Sequence, residues 1–335
     1  MRVKSGAVTI YDVAKEAKVS ASTVSRVINN RSNVNEATKT KVLEVLKKMN
    51  YSPNETARGL VTKSSRMIGI LIADIRATQH TSGIYYIERE LAANGYSCLI
   101  HNTTRSASEM ARYIRELTRW NVEGVVLIGS IFICDEVLQA IEEYMPKTPI
   151  VICNGYMKRP NIFGILSDEK TGMKELVRFL AEKGRKHPVM ILNQISPSSA
   201  DKEAGFRAGI EEYYPGEEAN VLYTGATEEE IKEQTQRMLE DWPETDAVIC
   251  SEDPLALAEI RALLDLGKCV PEDIAVAGVN NSMLAEVAVP RLTSLDNMLF
   301  SLSMTAAHHL LMLLNGKQVC HKIVIPTKIV EREST

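Results

Sequence analysis

The chain has 335 residues, of which 45% are hydrophobic and 24% are charged, a balance typical of folded globular proteins. This length predicts two or three domains rather than a single core. No apolar stretch reaches the roughly 18 residues of a membrane helix, and residues 1–6 lead into no apolar signal segment. We therefore expect a cytoplasmic protein that does not contact a membrane, with its six scattered cysteines reduced.

The basic residues are concentrated near the N-terminus. Residues 1–63 contain 12 Lys and Arg against 5 Asp and Glu, whereas the rest of the chain contains 27 against 38. A basic head on an acidic body favours a head that binds a polyanion such as nucleic acid. A solvated basic surface is the alternative, because charge alone does not distinguish the two.

The first 50 residues have the hydrophobic periodicity of helices. Thr9 and Asp12 form a capping box that begins a first helix. After a brief turn, Ser20 caps a second helix over Ala21–Asn29, and Asn35 caps a third. Two short helices separated by so brief a turn predict a helix-turn-helix within residues 1–53.

The second of these helices presents short polar side chains and one arginine opposite its apolar side. Arg26 is able to form a bidentate pair with a guanine edge in the major groove. Ala21 and Ser22 lie at the N-terminal end, where such helices contact bases. The alternative is a structural three-helix bundle in which Arg26 is merely solvated.

After a break at Tyr51–Pro53, residues 54–66 combine a short helical stretch with a polar linker. From Met67 onward, short apolar strands alternate with amphipathic helices, which predicts doubly wound α/β lobes with parallel sheets. The first series of strands is Met67–Ala73, Tyr96–His101, Gly124–Ile128 and Pro149–Cys153. The second series lies near Ile162–Leu166, Pro188–Leu192, Val221–Tyr223, Asp246–Cys250 and Asp273–Val279.

Helices separate the strands of the second series, near Lys170–Lys183, Ala200–Tyr213, Glu228–Asp241 and Pro254–Leu266. A last helix, Leu299–Leu314, and a terminal strand, Lys322–Val330, are expected to return through both lobes. We therefore expect residues 67–335 to form an N-lobe of about 67–163 and 297–320 and a C-lobe of about 164–296 and 321–335.

Residues 8–29 carry a distinctive combination of caps, turn and polar face, and further landmarks are Asn50–Asn54, Ala57–Leu60, Val122–Gly124, Ala204–Phe206, Val270–Asp273 and Pro290–Thr293. Together they closely resemble the lactose/galactose-repressor (LacI/GalR) family of bacterial transcription regulators. The resemblance implies an all-α helix-turn-helix head on a two-lobed, periplasmic-binding-protein-like α/β body. It also implies a homodimeric repressor that binds a pseudo-palindromic double-stranded operator under control of a small-molecule effector between the lobes.

The same resemblance implies roles in DNA binding. Ala21, Ser22 and Arg26 correspond to base-reading positions, and Leu60 corresponds to a hinge-helix leucine that wedges into the minor groove. Phosphate or backbone contacts are implied for Thr9, Ser20, Thr23, Ser25, Asn29, Asn35, Asn54 and Arg58. For Leu60 the alternative is an ordinary apolar contact with the body, since so short a helical stretch is not stable alone.

The expected effector cleft departs from the family. Where relatives have aromatic side chains and acidic ligand contacts, this chain has Ala77–His80 and the amides Asn154 and Asn280. The candidate effector-binding residues are Arg76, Gln79, His80, Asn154, Lys202, Asp253 and Asn280. Because sugar sites rely on carboxylates and aromatic faces, these amides and cations suit an anionic or phosphorylated ligand. Equally open are a pocket without an effector and a pocket controlled by a protein partner.

Sequence motifs of enzymes are missing: the chain has no GxGxxG after a strand, no GxxxxGKS/T, no HExxH and no GxSxG. We expect neither catalysis nor a cofactor or metal, and we interpret Asp168 and Asp253 as helix caps. The alternative function is a solute- or sugar-binding protein built on the same two lobes without a DNA role. The basic head and the missing signal segment disfavour it.

Overall fold

The computed structural model describes residues 8–28, 34–51, 64–225 and 227–335. They belong to two compact units, a head and a body, which divide between Ser65 and Arg66. Four predicted DNA contacts lie outside the described residues, namely Asn29, Asn54, Arg58 and Leu60. Within the described ranges, no helix is long and apolar enough to cross a membrane.

The head consists of three helices, α1 (Ile10–Ala17), α2 (Ala21–Ile28) and α3 (Glu36–Lys48). One fully buried valine from each helix, Val13, Val24 and Val42, forms the centre of its core. The predicted capping box at the start of α1 is confirmed, and a left-handed residue ends that helix and turns the chain toward α2. The predicted helix-turn-helix is therefore confirmed, with local capping chemistry defining the helix ends.

The first sheet of the body has six strands in the described residues, in the order β11-β5-β4-β3-β1-β2, all paired in parallel. Its strands are β1 (Met67–Ile72), β2 (Ser97–Asn102), β3 (Gly124–Ile128), β4 (Ile150–Cys153), β5 (Ile162–Ser167) and β11 (Lys322–Ile325). One face is covered by α4 (Thr78–Ala93) and α12 (Leu299–Leu314), and the other by α5 (Ala107–Leu117) and α6 (Asp135–Tyr144). Burial on both faces explains why the central strands are continuous apolar runs.

The second sheet also has six strands in the described part of the body, in the order β12-β10-β9-β8-β6-β7. These are β6 (Pro188–Leu192), β7 (Asn220–Tyr223), β8 (Ala247–Cys250), β9 (Ala275–Val279), β10 (Thr293–Asp296) and β12 (Lys328–Val330), of which β12 is antiparallel to β10. The helices of this lobe are α7 (Glu169–Glu182), α8 (Pro197–Tyr213), α9 (Glu228–Asp241), α10 (Asp253–Asp265) and the short α11 (Met283–Val287). The predicted pair of doubly wound lobes is confirmed.

Helices α7 and α8 approach each other closely because α8 has glycine at the contact. A Cβ atom on Gly205 would lie 2.2 Å from the backbone oxygen of Lys170, and one on Gly209 would lie 2.6 Å from Cβ of Val177. Both separations are too short for any side chain. The glycines therefore fix how closely α7 and α8 pack, and the N-terminal ends of both helices reach the cleft between the lobes.

The chain crosses between the lobes three times in the described body, and the crossings correct two expectations. The predicted strand Lys322–Val330 is two strands, β11 in the first sheet and β12 in the second, separated by Pro326, which has no N–H to continue a ladder. Strand β5 stays in the first sheet up to Ser167, so the first crossing follows that residue and not residue 163. Strand β10 was not predicted, because its four residues carry too little pattern.

Candidate functional site

Helix α2 carries the candidate DNA-reading surface of the head. Val24 and Val27 are buried, whereas Ser22 and Arg26 are exposed and Ala21 is partly exposed. Residues four apart in a helix lie on one face, so Ser22 and Arg26 share the surface opposite the core. Ala21 is half-buried and packs against the core of the head, so the structure brings two of the three predicted base-contact residues, Ser22 and Arg26, together on one accessible face.

The predicted phosphate contacts that are described lie mainly at helix N-termini. The Thr9 hydroxyl accepts from the Asp12 N–H at 3.3 Å, the Ser20 hydroxyl from the Thr23 N–H at 3.1 Å, and the Asn35 amide oxygen from the Thr38 N–H at 2.8 Å. Helix N-termini present free N–H groups and a positive dipole end, which suit phosphate oxygens. Thr23 and Ser25 lie on α2 itself and are partly exposed.

The body has its candidate ligand site between the lobes, at the carboxyl ends of the parallel strands. A cavity of about 90 Å³ is lined by residues that follow β1, β3 and β4 of the first sheet and β6 and β9 of the second. The edge at which parallel strands end is where open α/β sheets bind ligands. Five of the seven predicted effector residues line this cavity: Gln79, His80, Asn154, Lys202 and Asn280.

Two predicted effector residues have other roles. Arg76 is largely exposed and its guanidinium contacts the Asp74 carboxylate at 2.8 Å, which lowers the pKa of Asp74 to about 2. Arg76 is thus paired with Asp74, two positions earlier in the chain, and it is not one of the residues that line the cavity. Asp253 is fully buried, and its carboxylate accepts from the Ser282 N–H and the Ser294 hydroxyl, both at 2.6 Å.

These contacts make Asp253 a support for the loop that carries Asn280, and not a helix cap, since Glu252 precedes α10 as its N-cap residue. Burial is the main cause that raises the pKa of Asp253. The other predicted cap is confirmed, because the Asp168 carboxylate accepts from the Thr171 N–H at 3.2 Å.

The most buried charges in the cleft include a residue that sequence analysis missed. Glu169, the first residue of α7, is 3% exposed, and its Oε1 lies 3.3 Å from Nζ of Lys202, which is 6% exposed. A glutamate at a helix start is expected to face solvent near the positive end of the helix dipole, so its position gave no signal of a cleft role. The further lining residues not predicted include Arg105, Ser130, Gln194, Ser198 and Asn297.

The electrostatics of the cleft differ from the sequence expectation. Lys202 was predicted as a cation available to an anionic ligand, but Glu169 neutralises it. Burial lowers the pKa of His80, whose Nδ1 lies 3.1 Å from the backbone oxygen of Asp74. Among the described residues that line the cavity, none is Phe, Tyr or Trp. The cavity wall is therefore rich in neutral hydrogen-bonding groups, with Arg105 as a further cation.

Family models match two parts of the chain. Residues 9–54 match the bacterial regulatory proteins of the lacI family, and residues 177–335 match the periplasmic binding protein-like domain. The first match covers the helix-turn-helix of the head, and the second covers most of the C-lobe together with the returning segments.

Similar proteins span nearly the whole chain. An HTH-type transcriptional regulator of Lachnoclostridium phytofermentans is 33% identical over 97% of this chain and 99% of its own length. The ribose operon repressor of Halalkalibacterium halodurans is 30% identical over 98% of this chain and 97% of its own. A crystal structure of the Lac repressor dimer bound to operator and the anti-inducer ONPF superposes with a TM-score of 0.89 at 25% identity, covering 98% of this chain and 99% of that one.

Proposed function

The chain belongs to the lacI family of bacterial regulatory proteins, and on that premise we propose that it is a transcriptional repressor that binds operator DNA through α2. The observation that carries this proposal is the exposed face of α2, on which Ser22 and Arg26 lie four residues apart, with the half-buried Ala21 beside them at the N-terminal end of the helix. A helix of this size and polarity fits the major groove, and an arginine is the side chain that most often reads guanine there. Such a regulator acts on the chromosome, in the cytoplasm.

The remaining DNA contacts follow from the family pattern. We propose phosphate contacts for Thr9, Ser20 and Asn35, supported by their places at helix N-termini, and for Thr23 and Ser25 on α2. A hinge over residues 54–66 joins the head to the body in this proposal, and Asn29, Asn54, Arg58 and Leu60 keep the roles that the family resemblance implies.

We propose that the regulator works as a homodimer that reads two half-sites. The body exposes large apolar side chains on α4, on α12 and in or just after α11: Tyr85, Met283, Val287, Val289 and Phe300. Phe300 also packs edge-on against Tyr86 with ring centroids 5.1 Å apart. Exposed apolar surface that extends over several elements marks a protein interface. A second copy matches the dimeric state of the Lac repressor structure that this chain resembles.

We propose a small effector in the inter-lobe cleft, and the side chains there favour a neutral polyhydroxyl compound over an anion. Hydroxyl groups are bound by amide and carboxylate groups, and the cavity offers Gln79, Asn154, Asn280 and Glu169. An anionic ligand would meet Lys202 only after competing with the buried Glu169. Arg105 is the cation through which such a ligand would still bind.

The test of DNA binding is selection of duplexes from a random library with the full chain, followed by gel shifts across a salt series. We expect an inverted repeat to be enriched, with log affinity falling by about 0.9 per contacted phosphate for each decade of salt. Arg26→Ala should cost about 1–3 kcal/mol on the selected site and relax preference at one base pair.

The matched control is Arg261→Ala, which removes an exposed arginine from the body. This substitution should leave the affinity for DNA unchanged. Equal losses for Arg26→Ala on selected and random DNA would contradict base reading. No shift of any duplex at low salt would instead favour a solute-binding protein of the same fold.

A further inference from the structure

We propose that five side chains form a latch that holds the two lobes together through the protein's own contacts, and that a cleft ligand must displace part of it. The latch consists of Ser130 and Asn154 from the first lobe and Glu169, Ser198 and Lys202 from the second. Only the statement about the ligand rests on the proposed function. The latch itself is a property of the body.

The base of the latch is an ion pair inside the second lobe. Lys202 Nζ lies 3.3 Å from Glu169 Oε1 and donates to the Ser198 hydroxyl at 3.1 Å. Both charges are almost completely removed from water, so removal of either partner would leave the other as an unpaired buried charge. The close approach of α7 and α8 at Gly205 holds the two side chains within reach of each other.

The upper part of the latch joins the lobes. The Asn154 amide, which follows β4 of the first sheet, donates to Glu169 Oε2 at 3.2 Å, and the Ser198 hydroxyl donates to the same oxygen at 2.5 Å. The Ser198 backbone N–H donates across the cleft to the Ser130 hydroxyl at 3.1 Å. Separation of the lobes would therefore remove one donor from a buried carboxylate and one acceptor from a backbone N–H.

The Asn154 side chain is held at both ends, which makes it the joint of the latch. Its oxygen accepts from the Ser167 N–H at 3.3 Å while its nitrogen donates to Glu169. Its φ is +60°, a left-handed conformation that Asn and Asp adopt more readily than other side chains. Asn154→Asp therefore preserves the backbone and the Ser167 contact but places a carboxylate against Glu169, so that the joint becomes repulsive.

The test measures the distance between the lobes in the full chain without DNA or ligand. Two exposed native cysteines accept spectroscopic labels, Cys320 on the first lobe and Cys269 on the second. Cys153 and Cys250 are buried. Burial raises the pKa of Cys98 to about 11 and also raises the pKa of the half-buried Cys134, which slows the labelling of both. Labelled chains diluted with unlabelled ones report distances within one protomer.

For the unsubstituted chain we expect a single narrow distribution of the distance between the two labels. Asn154→Asp should shift the distribution to longer distances at pH 8, because two carboxylates of like charge then face each other across the joint. The double substitution Lys202→Met with Glu169→Met, which leaves no unpaired buried charge and removes the acceptor of the Asn154 amide, should shift the distribution in the same direction.

The matched control is Lys174→Met with Glu212→Met, which removes a partly exposed ion pair of 2.6 Å between the same two helices. It should leave the distance unchanged, because that pair does not reach the first lobe. If Asn154→Asp is folded by circular dichroism and gives the distribution of the unsubstituted chain at pH 8, the latch is refuted. Since the measurement involves no DNA, that result leaves the repressor proposal standing, and failure to bind DNA leaves the latch standing.

Discussion

A buried glutamate in the C-lobe makes the stability of this lobe depend on pH. Glu259, on α10, is fully buried. One carboxylate oxygen lies 2.9 Å from the Thr235 hydroxyl, and the other has no hydrogen-bond partner among the described residues. Burial is the main cause that raises the pKa of Glu259 from 4.5 to about 7.

The size of the effect follows from this pKa difference. The folded state binds the proton of Glu259 more tightly than the unfolded state does. The favourable contribution of this group to the free energy of unfolding is therefore complete below pH 4.5 and is lost as pH rises to about 7. A difference of about 2.5 pKa units corresponds to roughly 3 kcal/mol at 1.36 kcal/mol per unit. We therefore expect Glu259→Gln, which is neutral at every pH, to be more stable than the unsubstituted chain by up to about 3 kcal/mol at pH 8.

The assay is urea unfolding at several pH values and fixed protein concentration, followed by the fluorescence of Trp242, which packs against the same core as α10. A Trp120→Phe background removes the signal of the exposed tryptophan of the first lobe. The control Glu229→Gln changes an exposed carboxyl on the neighbouring α9 and should not alter the pH profile. A Glu259→Gln stability difference that is the same at pH 5 and pH 8 would refute the reasoning.

Three further predictions address other parts of the molecule. Gly205→Ala should destabilise the body by about 1–3 kcal/mol in a thermal melt, because the new methyl group overlaps the backbone oxygen of Lys170. Gly83→Ala has room for its methyl group and should be neutral or stabilising in the same measurement. Asp253→Ala should cost about 1–3 kcal/mol in denaturant unfolding because a backbone N–H and a buried hydroxyl lose their acceptor; an unchanged midpoint would contradict that role. Leu60→Ala should reduce operator bending in a circular-permutation gel shift while ligand binding to the body is retained; undiminished bending would argue against a wedge.

Most of the fold could be predicted from the sequence because the patterns that define its helices and strands are local. Each helix of the head begins at a side chain that caps its own N-terminus, so Thr9, Ser20 and Asn35 could be located by pattern alone. The central strands of the body are apolar runs bounded by polar residues, and Gly124–Ile128 and Pro188–Leu192 were predicted with their observed limits. These features depend on residues that are close in the chain.

The cleft was predicted less well because its interactions join distant residues. Glu169 and Lys202 meet only because α7 and α8 pack at glycines, and nothing in the sequence around Glu169 marks it as buried. Arg76 lies near the correct strand end, but Asp74 binds it locally. Asp253 looked like a cap, and its carboxylate instead supports a loop more than twenty positions away.

The interleaved order of the sheets has a consequence for biosynthesis. The first sheet receives β11, and its α4-covered face receives α12, from the last part of the chain. While residues 168–296 emerge from the ribosome, Ile84, Ile87 and Leu91 on α4 therefore lack the helix that covers them in the finished protein. The lobe that is translated first is completed last, so the nascent chain exposes an apolar surface that is prone to aggregate until translation nears its end.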